Sequence, residues 1–272
     1  MIEITSLKKP IIKEIKSLYR KKDRWENRLF LMEGIKIIEE AISNNVNLKY
    51  IVLNSTLLST KEGQKFCDGN SSFKNLIKVP DNIFKEICDT DNPQGILAVG
   101  EFRISLLDHD ADIRSSYLFL DGLQDPGNIG TIIRSCDAFS FPGIVLGENC
   151  VDPYNPKVVR ATMGSIFRAP IYYTNNSIDA LESLKNKNYK IYATSLMGSV
   201  PNYKIDYNEK HVIIIGNESR GVDERIIKMA DKLIKIPMPG KSESLNAGVA
   251  ASIIMYEAMK QRKAPLHFMK FH

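Results

Sequence analysis

Val212-Ile213-Ile214-Ile215 is an uninterrupted apolar run, and Gly216-Asn217-Glu218-Ser219-Arg220-Gly221 follows it directly. Four apolar residues without alternation describe a strand covered on both faces, the kind found in parallel sheets. The polar turn stands past the carboxyl end of that strand, where ligands of open α/β sheets bind. The same pattern recurs on either side. Tyr117–Leu120, Ile144–Leu146, Lys190–Ala193 and Leu233–Ile236 read as strands. Helical periodicity falls on 129–139, 156–163, 178–187, 223–229 and 245–261. Such alternation predicts a mostly parallel sheet with helices on both sides.

Residues 10–27 predict one basic amphipathic helix, with Ile11, Ile12, Ile15, Leu18 and Tyr19 on a single stripe. Strands follow at 29–32, 50–53 and 96–99, with helices at 34–43, 61–68 and 80–88. This first part is a smaller α/β unit. Residues 103–115 are charged and lack a sustained apolar pattern. The expected organisation is therefore a domain over 1–102, a linker over 103–115 and a second domain over 116–272. Asp108, Asp110 and Asp112 fall in the linker, but the glycine and distal glutamate of a calcium loop are absent.

The 272-residue chain carries 37 basic and 32 acidic side chains, a net charge of +5. Their placement matters more. Lys8 to Arg28 holds nine basic and three acidic residues, and Ala258 to His272 four basic and no acidic ones. A mildly acidic body thus carries two basic ends. This pattern suits an anionic partner, nucleic acid ahead of a membrane surface, or a solvated helix face. The four cysteines form no C-x-x-C pair, so no metal site is expected. No apolar run approaches a membrane span, and Met1–Lys16 lacks the apolar core of a signal peptide. The expectation is a cytoplasmic protein with reduced thiols.

Three loops carry candidate chemistry. The first is Asp121-Gly122-Leu123-Gln124-Asp125-Pro126-Gly127-Asn128, which opens a helix containing Arg134. Pro126-Gly127 forces a turn, and Asn128 is a candidate N-cap. Arg134 sits among apolar neighbours, either facing an anionic ligand or closing an internal ion pair. The second is the Gly216–Gly221 turn, with Glu218 at a pocket floor or as a helix cap. The third runs from Ile236-Pro237-Met238-Pro239-Gly240 to Ser244-Leu245-Asn246, rigid and poor in internal hydrogen bonds. Its free backbone groups suit the edge of an adenine-like ring. The helix beyond it begins with Ala247, Gly248, Ala250, Ala251 and Ser252, which permit close packing. No G-x-G-x-x-G follows any strand, and Lys235 stands where a P-loop ending in Gly240-Lys241-Ser242 needs glycine.

Together, in order, these loops resemble the three motifs of the SpoU (TrmH-type) RNA 2′-O-ribose methyltransferases of the SPOUT superfamily. The likeness is close over 117–262, and Asp152–Ser165 resembles the family's segment between its first two motifs. Residues 10–100 are similar, more loosely, to the family's RNA substrate-binding domain through Leu29-Phe30-Leu31-Met32-Glu33-Gly34 and the basic helix before it. Thiostrepton-resistance methyltransferases share this layout.

The resemblance implies a C-terminal α/β-knot, a deep trefoil knot in a mostly parallel sheet, and a homodimer through that domain with the last helix at its interface. It implies S-adenosylmethionine held by Thr194, Ser195, Leu196, Gly216, Asn217, Glu218, Ile236, Met238, Leu245 and Asn246. Catalysis would fall to Asn128, Arg134, Glu218, Ser244 and Asn246. Arg134 would bind the target phosphate and polarise the hydroxyl, while Glu218 orients Asn128 or Arg134. Lys16, Arg20, Lys21, Lys22, Arg24 and Arg28 would contact RNA, with ribosomal RNA of the large subunit the first choice and transfer RNA the second. A non-catalytic RNA-binding or ribosome-assembly protein retaining the fold is the alternative from another class.

Overall fold

The structure is a computed structural model that describes residues 1–107, 116–198 and 200–262. Most of the expected linker, with Asp108, Asp110 and Asp112, and residues 263–272 of the basic tail lie outside the described residues. The chain divides into two compact units, 1–103 with 152–168, and 104–151 with 169–272. Sequence reading placed all of 116–272 in the second domain, so 152–168 is the departure. Those residues pack with the first unit through Tyr154, whose ring stacks on Phe102 at 3.9 Å, and through a buried ion pair made by Asp152.

The first unit contains β1 (Ile2–Glu3), α1 (Pro10–Ser17), α2 (Lys21–Asn27), β2 (Leu29–Glu33), α3 (Ile35–Ser43), β3 (Leu48–Asn54), α4 (Ser55–Leu58), α5 (Lys61–Gly69), β4 (Leu76–Val79), α6 (Asp81–Ile87) and β5 (Ile96–Glu101). Its five-stranded sheet has the order β1-β4-β3-β5-β2, with β1, β4 and β3 parallel and β5 antiparallel to both β3 and β2. Ile12, Ile15 and Leu18 bury completely against Val52, Ile77, Phe84 and Val99. Each such side chain contributes roughly 1.5–3 kcal/mol by leaving water.

The single helix expected over 10–27 is broken into α1 and α2. Arg24, in α2, reaches back and donates to the carbonyls of Leu18 and Tyr19 at 2.7 and 2.9 Å. Those carbonyls receive a guanidinium where a continuous helix would supply backbone N–H groups. Helical periodicity continues across the break, which is why the sequence did not reveal it.

The second unit begins with β6 (Ser116–Asp121), α7 (Pro126–Ala138) and β7 (Ile144–Leu146). The chain then gives α8 (Pro156–Thr162) to the first unit. It continues through β8 (Ile171–Tyr173), α9 (Ser177–Asn186), β9 (Lys190–Thr194), β10 (Val200–Pro201), β11 (His211–Gly216), α10 (Glu224–Met229), β12 (Lys232–Lys235) and α11 (Ala247–Gln261). The sheet order is β10-β12-β9-β11-β6-β7-β8, and every pairing is parallel. β11 is the apolar run Val212–Ile215 with one residue added at each end, and all six of its residues are buried.

Val212 and Ile214 point to the face covered by α9 and α10, where Leu181, Leu184, Val222 and Ile226 complete a core. The intervening Ile213 and Ile215 point to the opposite face, and α11 packs on β11 and against α7. The α7–α11 contact uses the small residues noted in the sequence. A Cβ on Gly248 would stand 3.1 Å from Thr131, and the Ser135 and Ser252 hydroxyls meet at 2.7 Å. That small-residue face is thus spent within the chain, and the exposed side of α11 carries Val249, Ile253 and Tyr256 instead.

Candidate active site

Because β6 and β11 are parallel neighbours, Asp121 stands beside Gly216 in register. The loops leaving these two positions therefore start side by side. The loop after β6 becomes α7 at Pro126, whose fixed φ and missing N–H suit a first helical position. The N-cap is Asp125, not Asn128: its carboxylate accepts from the Asn128 N–H at 2.7 Å. Asn128 is the third residue of α7, so its side chain is free of capping duty. Only 5% exposed, it donates from Nδ2 to Glu218 Oε1 at 2.7 Å.

Glu218 sits on a turn built to hold it there. Asn217 and Gly221 exchange backbone hydrogen bonds of 3.0 and 2.9 Å, closing the loop. Gly216 must lack a side chain, since a Cβ would meet the Gly221 carbonyl carbon and the Val222 nitrogen at 2.3 Å. The Asn217 side chain accepts from the Ser219 and Arg220 N–H groups at 3.0 and 3.2 Å, and donates to the Gly122 carbonyl at 2.8 Å. Asn217 thereby ties the second loop to the first. Beside this junction the Asp121 carboxylate accepts from the Asp223 N–H at 2.8 Å, and burial raises its pKa. A polar groove of about 470 Å³ opens there, lined in part by Asp121, Asn217, Arg220 and Arg225.

The strands β12, β9 and β11 are adjacent and parallel, so the loops after Lys235, Thr194 and Gly216 leave one edge in a row. Thr194 donates its hydroxyl to the Ile214 carbonyl at 2.9 Å, and the Ser195 N–H reaches the Ile234 carbonyl at 3.0 Å. Leu196 is 67% exposed, and its neighbour Met197, which sequence reading passed over, is 88% exposed. Ile236 and Met238 are half-buried, and Leu245 and Ser244 are exposed. No backbone–backbone hydrogen bond joins residues 236–245 to other described loops. Apart from the Ser244 carbonyl, which accepts from the Ser242 hydroxyl at 2.9 Å, their amides and carbonyls have no partner among the described residues and stay available to a ligand. Asn246 accepts from the Val249 N–H at 3.2 Å and caps α11. Exposed apolar side chains beside unengaged backbone suit a nucleoside with an aliphatic, charged tail.

Arg134 does not close an internal ion pair. It is exposed, and it has no carboxylate partner among the described residues. Six residues beyond Asn128, it lies about 120° away around α7. Glu218 therefore engages Asn128 and not Arg134.

In the first unit the six expected RNA contacts separate. Lys16 pairs with Glu86, Arg20 with Asp23 and Lys22 with Glu26. Arg24 is 1% exposed and clasps Asp152 through Nε at 2.8 Å and Nη2 at 2.7 Å, which removes it from any RNA surface. Lys21 and Arg28 are exposed and have no carboxylate partner among the described residues. One signal would have found the N-cap: Asp before Pro marks a helix start.

The SpoU rRNA Methylase family model matches residues 115–256, more than half of the chain. The chain belongs to the SpoU rRNA methylase family. As a member it is an S-adenosylmethionine-dependent RNA methyltransferase. An MRM3-like substrate binding domain matches residues 9–98. The 23S rRNA (guanosine(2553)-2′-O)-methyltransferase RlmP of Bacillus subtilis is 32% identical, covering 94% of this chain and 98% of its own length. The crystal structure of an AdoMet-bound rRNA methyltransferase from Sinorhizobium meliloti superposes with a TM-score of 0.82 at 34% identity, covering 95% of this chain and 97% of that one. The SpoU methyltransferase AviRb from Streptomyces viridochromogenes shares the fold, with a TM-score of 0.79 at 24% identity, covering 92% and 96%.

Proposed function

We propose that this SpoU enzyme methylates a ribose 2′-hydroxyl of large-subunit ribosomal RNA, in the cytoplasm. The observation that carries the reading is the Asn128–Glu218 hydrogen bond at the joined ends of β6 and β11. Beside it stand the three loops after β12, β9 and β11.

The reaction forms an O–C bond and breaks an S–C bond, and the hydroxyl proton passes to solvent water. The bound cofactor supplies a methyl group on a positive sulfonium, so the leaving group is a neutral thioether. The obstacle is the weak nucleophile. A carboxylate accepts only, so Glu218 fixes which end of the Asn128 amide faces it. The Asn128 carbonyl oxygen then points away, ready to accept from the ribose hydroxyl. Arg134 binds the adjoining phosphate and polarises the same hydroxyl. Ser244 and Asn246 close the pocket. Thr194, Ser195, Leu196, Gly216, Asn217, Ile236, Met238 and Leu245 hold the donor, mostly through backbone.

Val249, Ile253 and Tyr256 are 44%, 37% and 49% exposed and recur at helical spacing on α11. They form the homodimer face, with residues 236–246 threaded as the trefoil knot. In the dimer Arg134, unpaired in one chain, completes a site. The test is to incubate total RNA with the enzyme and methyl-labelled S-adenosylmethionine, then map the label. Label on a ribose of the large-subunit RNA is expected. Label on a base overturns the reaction, and label confined to transfer RNA overturns the target. Calorimetry with S-adenosylmethionine alone separates off the non-catalytic alternative, for which no saturable heat is expected.

A further inference from the structure

The polar groove beside the Asn128–Glu218 pair takes no part in the methyl transfer as described. It lies past the carboxyl ends of β7, β6 and β11, the ligand end of a parallel sheet. The loops assigned to the cofactor leave β12, β9 and β11, so β11 is the strand the two regions share. The turn after β11 divides them. It sends Glu218 to Asn128 and sets Asn217, Arg220 and Gly221 along the groove. A single turn therefore separates the groove from the pair assigned to the ribose hydroxyl.

The groove combines a bare floor with open hydrogen-bonding groups. Gly122 and Gly221 line it at φ +67° and +71°, and a Cβ on either would meet no neighbouring group within 4 Å. Its volume of about 470 Å³ is that of a small-ligand pocket. Asp121 is half-buried. Its Oδ2 accepts from the Asp223 N–H at 2.8 Å, and its Oδ1 has no partner among the described residues. Glu148 repeats the arrangement: Oε2 accepts from the Ser177 N–H at 3.2 Å, and Oε1 has no partner among the described residues. Arg225 is spent on Asp223, through Nε at 3.1 Å and Nη2 at 2.9 Å. Arg220 is exposed and has no carboxylate partner among the described residues, while its N–H is held by the Asn217 side chain at 3.2 Å. The groove thus offers two anchored acceptors and one unpaired cation. Among the described residues no group of three such side chains could hold a metal ion, so the acceptors face a hydrogen-bond donor.

We propose that this groove is a guanine-reading subsite for the RNA substrate, in which Asp121 accepts from N1–H and the 2-amino group of the base and Arg220 binds a phosphate of the same strand. Among the four RNA bases only guanine carries two adjacent N–H donors on its Watson–Crick edge, the complement of an acceptor-only carboxylate. Glu148 takes the second N–H of the amino group, and the flat ring lies over the glycine floor. A donor at Asp121 also offsets the burial that raises its pKa. The subsite deepens the RNA-methyltransferase reading and rests on it.

Inosine, which is guanosine without the 2-amino group, isolates the contact. The full-length protein is titrated with fluorescein-labelled uridine pentamers carrying guanosine, inosine or adenosine at the centre, and anisotropy gives each affinity. The guanosine strand is expected to bind about tenfold tighter than the inosine strand, the loss of one hydrogen bond to a charged group. The adenosine strand should bind no better than the inosine strand. Asp121→Asn keeps an acceptor for the Asp223 N–H but turns an NH₂ donor toward the base. It should erase the preference for guanosine over inosine and leave the affinity for S-adenosylmethionine, measured by calorimetry, where it was. Arg220→Ala should weaken all three strands alike and lower the salt dependence by about one phosphate. Equal binding of the guanosine and inosine strands, a preference that survives Asp121→Asn, or no binding of any pentamer would each overturn the subsite. The guanosine–inosine comparison on the wild-type protein decides the matter even where Asp121→Asn fails to fold. Failure of the methylation reading would show instead in the wild-type labelling assay, with the pentamer preference unaffected.

Discussion

Two arginines drawn from the same sequence-level argument end in opposite environments. Arg24 in the first unit is 1% exposed, with Asp152 on one side of its guanidinium and two backbone carbonyls on the other. Arg134 in the second unit is exposed and unpaired among the described residues. A buried cation must be fully partnered, and once it is, it has nothing left for a ligand. An unpaired cation on a helix keeps its whole donor set for a substrate. In this chain a saturated cation marks structure, and an unpaired one marks a candidate for chemistry.

The comparison breaks most visibly at Arg134. Arg134→Ala should lower the methyl-transfer rate by roughly 10²–10⁴-fold, the range for a group that activates a nucleophile. Its thermal midpoint should hold, because exposed substitutions away from special features cost within about 0.5 kcal/mol. Loss of folding with loss of activity would place Arg134 in the same class as Arg24.

Arg24→Ala is the mirror experiment. It strands the Asp152 carboxylate in the interior and should cost about 3–5 kcal/mol in urea unfolding. Removing both charges, as Arg24→Met with Asp152→Leu, should recover a large part of that. A fully folded Arg24→Ala protein of unaltered stability would show that the clasp carries no structural weight. The first unit lacks residues 152–168 if cut at Arg103, so an isolated 1–103 fragment meets the same deficit.

A third buried group sharpens the point with pH. His211 at the start of β11 is 1% exposed, and burial pushes it down to about 4. Its unfolded value is near 6.5, so between these values the unfolded chain binds the extra proton. Stability is then complete above about pH 6.5 and falls as pH drops toward 4, by about 3 kcal/mol in all. His211→Phe should flatten urea midpoints over that window. A wild-type midpoint independent of pH there would contradict the buried, neutral imidazole.

How much of this was legible depended on whether the partner lay nearby in sequence. Val212–Ile215 announced a strand buried on both faces, and the turns after it and after Leu120 announced the site loops. The insertion of β11 between β6 and β9 was not legible, because strand order is a long-range property that periodicity does not encode. The two-residue strands β1 and β10 are too short to carry any period. The break between α1 and α2 depends on Arg24, whose anionic partner lies 128 residues away. The N-cap was misplaced by three residues although Asp125-Pro126 held the signal. Glu218 was expected to orient Asn128 or Arg134, and the spacing of six between those two already set them on different sides of a helix, so one carboxylate reaches only Asn128.

The central claim is that Asn128 and Glu218 act as one unit on the ribose hydroxyl. A double-mutant cycle on the turnover rate tests it directly, with Asn128→Ala, Glu218→Gln and the double variant. The account predicts that the double variant is no slower than Asn128→Ala alone, with cofactor affinity unchanged throughout. Rate losses that simply add, as free energies, would mean the two residues work independently, and the account would be wrong.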